Sequence, residues 1–362
     1  MGMKTINIKK MNKKLKSNLI TYGMVLIAFI IVQILMSAGM MSNLMKGILV
    51  PLCIYVILAI SLNLTVGILG ELSLGHAGFM CVGAFAGSVF SKCMKDVIPV
   101  SGVRFFLAIL IGAIVAAIFG ILIGIPVLRL KGDYLAIVTL AFGEIIKNLM
   151  NVIYLGVDSK GLHFSLKDAA SLNLESDGQI IIKGAQGITG TPKDATFTIG
   201  IILVLITLFI VNNLINSRSG RAIMSIRDNR IAAESVGINI TKYKLMAFSI
   251  SASLAGVAGV LYSHNLSTLT ASPKNFGYNM SIMILVFVVL GGIGNIRGSI
   301  IAAVILTLLP ELLRGLSEYR MLIYAIVLIV TMIISNNPKA VEYRNMLFGK
   351  LKRAKNQTKE AK

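Results

Sequence analysis

The sequence predicts an all-α polytopic membrane protein with about ten transmembrane helices. Hydrophobic residues make up 56% of the 362 and charged residues only 14%, where a soluble globular chain carries about 25% charged. The mean hydropathy is +0.83. The apolar residues also come in runs of roughly 17 to 25, the length that crosses a hydrocarbon core of ~30 Å.

In chain order, residues 1–19 hold six Lys and no acid, and read as a basic, solvated cytoplasmic tail held at anionic headgroups. Leu19–Met36 is too long for the apolar core of a signal peptide and lacks a small-residue cleavage site, so it reads as a retained first span. Gly47–Leu69 forms the second, with Pro51 near its start. Five glycines then fall between Gly67 and Gly83, with Glu71, Ser73 and His76 among them, before a third span at Met80–Phe90. Two readings fit this density: tight helix packing with a short turn, or a broken helix bordering a translocation path. In the second reading Ser73, Gly75 and His76 are candidate pathway residues.

Phe105–Leu128 is the fourth span, ending at the basic Arg129–Asp133 turn, and Tyr134–Tyr154 the fifth. Glu144 and Lys147 lie three apart on one face of the fifth, where they can pair and lower the cost of burial. A packing role and a proton relay both remain open for this intramembrane ion pair. Residues 156–196 form the longest polar stretch, an external loop in which Gln179–Lys183 alternates as one strand of a small hairpin. Ile199–Ile215 is the sixth span. The seventh, Leu245–Ser263, is rich in small residues suited to close packing, with Ser249 and Ser253 as further pathway candidates. Ser281–Gly292, Ser299–Leu313 and Met321–Ser335 complete ten, and residues 337–362 form a second basic tail.

With both termini inside, cytoplasmic stretches hold 23 Lys/Arg and external ones 11, which satisfies the positive-inside rule. The net charge of +20 is then a topology signal and an attraction to anionic lipid, so no nucleic-acid partner is needed to explain it. There is no G-x-x-x-x-G-K-[ST] phosphate loop, no metal-ligand spacing among the three Cys and three His, and no nucleophile–base constellation. The spans hold few ionisable groups, whereas ion-coupled carriers commonly place such groups in mid-membrane. The chain therefore carries no evident energy source and no catalytic residue.

The stretch that answers this is 216–244, a charged insert between the sixth and seventh spans with four Arg and two Lys. It resembles the coupling loop of ATP-binding-cassette importer permeases, whose consensus is E-A-A, three residues, then G. Ala232, Ala233 and Gly237 fall in register, and Ile231 stands where the consensus has Glu. Further stretches resemble branched-chain amino acid permeases of the LivM type: Leu72–Phe79, Leu130–Glu144, Gly187–Gly190, Ser219–Ala222, Arg227-Asp228, Ala247-Phe248 and Gly291–Gly298. The match runs over about residues 47–335.

The resemblance implies an importer permease fold spanning residues 20–336 of a bacterial cell membrane, with no bound cofactor. ATP would be bound by two partner subunits docked at Arg227, Asp228, Ala232, Ala233 and Gly237. A second homologous permease subunit would complete a heterodimer, and an extracytoplasmic binding protein would deliver leucine, isoleucine or valine. Permeases for urea and short amides share much of this pattern, and a secondary carrier or a passive channel would be distinguished by its independence of ATP. So few polar groups in the spans suggest a permissive conduit, with selection left to the binding protein.

Overall fold

The computed structural model describes residues 2–313 except 131, 159 and 177, together with isolated positions between 319 and 333. It divides into two units at the Val304–Ile305 boundary, which falls within the last described helix, and the contacts below belong to the first. The last expected span, Met321–Ser335, and the 337–362 tail fall wholly or largely outside the described residues.

The chain is helical throughout its apolar runs. α1 (Gly2–Ser37) includes the lysine-rich residues that the sequence reads as a solvated tail, and α2 (Asn43–Asn63) follows. Then come α3 (His76–Cys93), α4 (Ser101–Val127), α5 (Asp133–Val152) and α6 (Phe197–Asn216). Two short helices, α7 (Arg218–Asp228) and α8 (Arg230–Ser235), precede α9 (Ile240–Ser263). α10 (Pro273–Phe276), α11 (Tyr278–Gly291) and α12 (Ile296–Leu312) end the described helices. Among the described residues, seven helices are long and apolar enough to cross a membrane. Polar side chains set several of their starts. Ser42, Thr196 and Asn239 accept the N–H of Met45, Ile199 and Lys242, so each span begins where an orphan donor finds an acceptor.

The centre of the bundle is built on bare backbone. α3 and α9 run side by side in the same direction, with Gly83 against Gly256, Gly87 against Val260, and Ser91 bonded to His264. α4 crosses the same surface: a Cβ placed on Gly256 would lie 2.5 Å from the Ala116 Cβ and 2.7 Å from the Gly112 oxygen. In a bilayer, helix association rests on such close van der Waals packing, because lipid tails are as apolar as leucine.

The polar stretch after α5 folds as a small antiparallel sheet. β1 (Tyr154–Asp158) lies between β2 (Gly161–Ser165) and β3 (Gln179–Lys183). The alternating Gln179–Lys183 run is thus the edge strand of three. It pairs with residues that the sequence places in part at the end of the fifth span. β4 (Ile188–Thr189) pairs with β5 (Thr268–Leu269), and Lys92 Nζ donates to the Thr189 oxygen at 2.8 Å, fastening this layer to α3. At the β1–β2 turn, Asp158 Oδ1 accepts from the Lys160 and Gly161 N–H groups and from His163. Desolvation alone would raise the Asp158 pKa, but hydrogen bonds from the Lys160 and Glu175 N–H groups and from His163 outweigh it and hold the carboxyl below its ordinary range.

Gly256→Leu should therefore force α3, α4 and α9 apart, at a cost of about 1–3 kcal/mol for overpacking. The measurement is the thermal unfolding midpoint of the detergent-purified chain. Gly47→Leu is the control, since nothing lies within 4 Å of a Cβ there, and it should leave the midpoint in place.

Candidate functional site

The insert between α6 and α9 forms two helices, each capped by a side chain. Ser217 Oγ accepts the Gly220 N–H at 3.0 Å, and Asn229 Oδ1 accepts the Ala232 N–H at 3.0 Å. Ile223 is fully buried against Leu64, Ile68, Leu69 and Ala247, while Ile226, Ala233 and Ile240 form a second small core. The paired alanines therefore part: Ala233 packs on the chain's own core and Ala232 faces solvent. Ile231 and Val236 stay open, at 81% and 74% exposure. Gly237 has φ +82° with nothing within 4 Å of where a Cβ would stand, and the Ile238 N–H reaches the Ala233 oxygen at 3.1 Å. This left-handed glycine ends α8.

α7 is latched to the end of the second span. After Asn63 the helix widens into a π-turn, Leu64–Leu69, and stops at Gly70 in a left-handed conformation. Arg227 Nη1 donates to the Gly67 oxygen at 2.9 Å, its aliphatic stem lies against Gly70, and Nε and Nη2 both reach Asp228 Oδ1. One residue past Gly70, Glu71 pairs with Lys244 of α9 in a largely buried contact. Asn63 ties in the turn before α12: Nδ2 donates to Ser299 Oγ at 2.8 Å and Oδ1 accepts the Gly294 N–H at 2.9 Å. Sequence reading misses the Glu71–Lys244 pair and the Asn63 contacts. The partners lie 173 or more residues apart, and no spacing rule reaches that far.

From Gly70 to Gly75 the chain is non-helical, passing from the exposed Gly70 to the buried Ser73 and Gly75, and α3 starts only at His76. Both features that the sequence suggests are present: the helix is interrupted, and Gly75, Gly78 and Gly83 pack directly on Thr139, Gly143 and Gly256. From its pairing with α9, His76 lies level with about Ser249, four residues or roughly 6 Å beyond Leu245, where the seventh span begins. That places the start of α3 inside the bundle, in the inner half of a ~30 Å core.

Around it, hydroxyls from four other helices converge. His76 Nε2 and Ser61 Oγ lie 2.7 Å apart, and Ser251 Oγ donates to the Ser61 oxygen at 2.5 Å. Ser281 Oγ accepts the Ala77 N–H at 3.1 Å, and Thr139 Oγ1 accepts the Leu74 N–H at 3.0 Å. Ser73 is 1% exposed, and its hydroxyl has no hydrogen-bond partner among the described residues. The candidates Ser73, Gly75 and His76 are thus brought together.

Ser249 and Ser253 are not brought there. Ser249 bonds back to the Met246 oxygen beside Gly120 of α4, and Ser253 lines an apolar groove with Phe105, Ile109, Ile202 and Ile206. At about 100° per residue, Ser251 between them points the opposite way, and it is Ser251 that reaches the buried hydroxyls. Glu144 and Lys147 do pair. Glu144 Oε1 also accepts the Tyr278 N–H at 2.8 Å, serving the first turn of α11, whose Gly277 cap offers no side chain.

Comparison with known proteins agrees with this architecture. Residues 44–333 match the family described as branched-chain amino acid transport system / permease component. The chain is 36% identical over 291 residues to the high-affinity branched-chain amino acid transport system permease protein LivM of Salmonella typhimurium, covering 77% of this chain and 66% of that one. The Escherichia coli protein of the same name is 35% identical, with the same coverage of both chains. The chain thus spans slightly less than two thirds of the length of either relative. The probable branched-chain amino acid transport permease protein LivM of Methanocaldococcus jannaschii is 27% identical over 297 residues, covering 72% of this chain and 78% of that one. No solved structure matches. The apolar helices and these relatives together describe a multi-pass membrane protein, and the chain belongs to the branched-chain amino acid transport system permease family.

Proposed function

We propose that this chain is a membrane-spanning subunit of an ATP-driven importer for branched-chain amino acids. Two ATP-binding subunits would dock on α7 and α8, a second permease subunit would pair with it, and an extracytoplasmic binding protein would deliver the substrate. The supporting observation is the latch between α7 and the broken second span, formed by Arg227 on the Gly67 oxygen and closed by Glu71–Lys244. A push on α7 meets a charge-assisted hydrogen bond to the chain that runs on into the start of α3. Motion outside the membrane is thereby delivered to the interior of the bundle. The chain itself needs no catalytic group or cofactor in this scheme, since the partners bind and hydrolyse ATP.

Uptake of leucine into proteoliposomes should require the ATP-binding subunits and ATP inside their compartment. Uptake that persists without either would instead make the chain a secondary carrier or a channel, and uptake of urea but not leucine would move it to the amide branch.

Orientation follows from the same scheme. In a background lacking Cys53, Cys81 and Cys93, Ser176→Cys in the β2–β3 connection should react with an impermeant thiol reagent on intact cells. Ser235→Cys on α8 should react only with a permeant one. Both positions are exposed, so accessibility to solvent is not limiting, and labelling of Ser235→Cys from outside would invert the topology.

Gly237→Val should leave the protein in the membrane and abolish coupled uptake, because a β-branched residue at positive φ costs about 1–2 kcal/mol and re-aims the end of α8. Asn tolerates that conformation, so Gly237→Asn should retain most of the transport.

Breaking the inner pair is expected to cost stability as well as coupling. Lys244→Met strands a buried carboxylate and should destabilise by about 3 kcal/mol, whereas combining it with Glu71→Gln should restore most of the loss. Chemical denaturation of the four members of this cycle, with parallel uptake assays, measures both effects.

A further inference from the structure

We propose that the N-terminus of α3 receives the α-carboxylate of the amino acid in transit, with the Ser73 hydroxyl as a second donor; this rests on the importer reading above.

The first turn of any helix leaves backbone N–H groups without acceptors and carries a partial positive charge of about half a unit. Most helices of this chain expose that end to water. α3 starts instead at His76, inside the bundle and within a shell of hydroxyls. Its cap is Gly75, which has no side chain to offer; the Ala77 N–H is met by the neutral Ser281 hydroxyl and the Gly78 N–H by the Gly75 oxygen. The carboxylates on the elements packed around it are engaged elsewhere, Glu71 by Lys244 and Glu144 by Lys147 and the Tyr278 N–H. No anion among those contacts balances the helix end.

A second, separate observation points to a ligand. Ser73 lies three residues ahead of His76 in the same segment, is 1% exposed, and has a hydroxyl with no partner among the described residues. A buried hydroxyl left unpaired is costly, by an amount similar to a lost hydrogen bond. Ser73 gives nothing back in this arrangement of the chain. A carboxylate oxygen at the start of α3 would satisfy it and the helix end together. Helix N-termini that begin inside a membrane bundle suit anionic substrate groups for this physical reason. The Glu71–Lys244 pair and the Arg227 bond hold the same segment, so inner-end motion would move Ser73 relative to α3 and change the affinity of the site. Urea and neutral amides carry no carboxylate, so such a site selects against them, which departs from a conduit without preference.

The test is equilibrium binding of L-leucine to the purified full-length chain assembled with its second permease and ATP-binding subunits, with no binding protein present. L-Leucinamide, 4-methylpentanoate and urea serve as competitors. Displacement by 4-methylpentanoate but not by leucinamide or urea is expected. Ser73→Ala should weaken leucine binding about tenfold, the share of one hydrogen bond to a charged group. Its thermal midpoint should hold or rise, because Ser73 has no hydrogen bond to lose among the described residues. Leucinamide competing as well as leucine, or unaltered binding in Ser73→Ala, overturns the proposal. So does a wild-type complex that transports leucine with its binding protein yet binds none without it. A complex that transports urea and not leucine defeats the amino acid reading and the carboxylate site with it.

Discussion

The interruption between α2 and α3 is the constraint on which the rest of this molecule depends. A continuous helix would satisfy its own backbone and would need nothing from its neighbours. Stopping at Gly70 and resuming at His76 instead leaves donors and acceptors inside the bundle that must be met from elsewhere. The Gly67 oxygen is met by Arg227 and the Leu74 N–H by Thr139, while the Ala77 N–H finds Ser281. Each of those partners sits on a different helix, so the break ties α5, α7 and α11 to one short run of chain. The same need explains why an arginine of a solvent-facing helix reaches the end of a membrane span.

The apolar spans were legible in the sequence because hydrocarbon thickness leaves little freedom in their length. The short helix α8 coincides with the Ala-Ala-x-x-x-Gly pattern, and Gly237 takes a left-handed conformation at its end. Glu144–Lys147 was legible because i,i+3 spacing is a local rule. What was not legible depended on folding. Glu71 and Lys244 are distant in sequence and meet only because α9 begins beside the break. Ser249 and Ser253 look identical in kind to Ser251, and only the orientation of α9 tells which of the three serines faces the buried hydroxyls. Ala233 reads as a docking residue until its place under α7 shows that it belongs to the chain's own core. The three-stranded sheet escaped notice because β1 begins within residues that read as the end of a span, so its pairing with Gln179–Lys183 has no signature of its own.

Family membership and physical reading bear on different questions here. The relatives identify what kind of machine the chain belongs to. The contacts identify where a stress applied to it would travel. Arg227 joins the two, since it falls within a stretch shared with the family and is also the residue that bridges the insert and the broken span.

The bare-backbone seam between α4 and α9 carries a consequence of another kind. On α4, Gly112, Ala116 and Gly120 recur every fourth residue, and they meet Gly256 and Ala252 of α9 in turn. Larger side chains close this seam at both ends, Val260 seated on Gly112 and Leu245 with Phe248 on Gly124. Sliding α4 by a turn of about 5.4 Å would drive Val260 off its bare seat and onto a position that already carries a methyl. Two helices packed in this way are stiff against separation and are also held in register along their length.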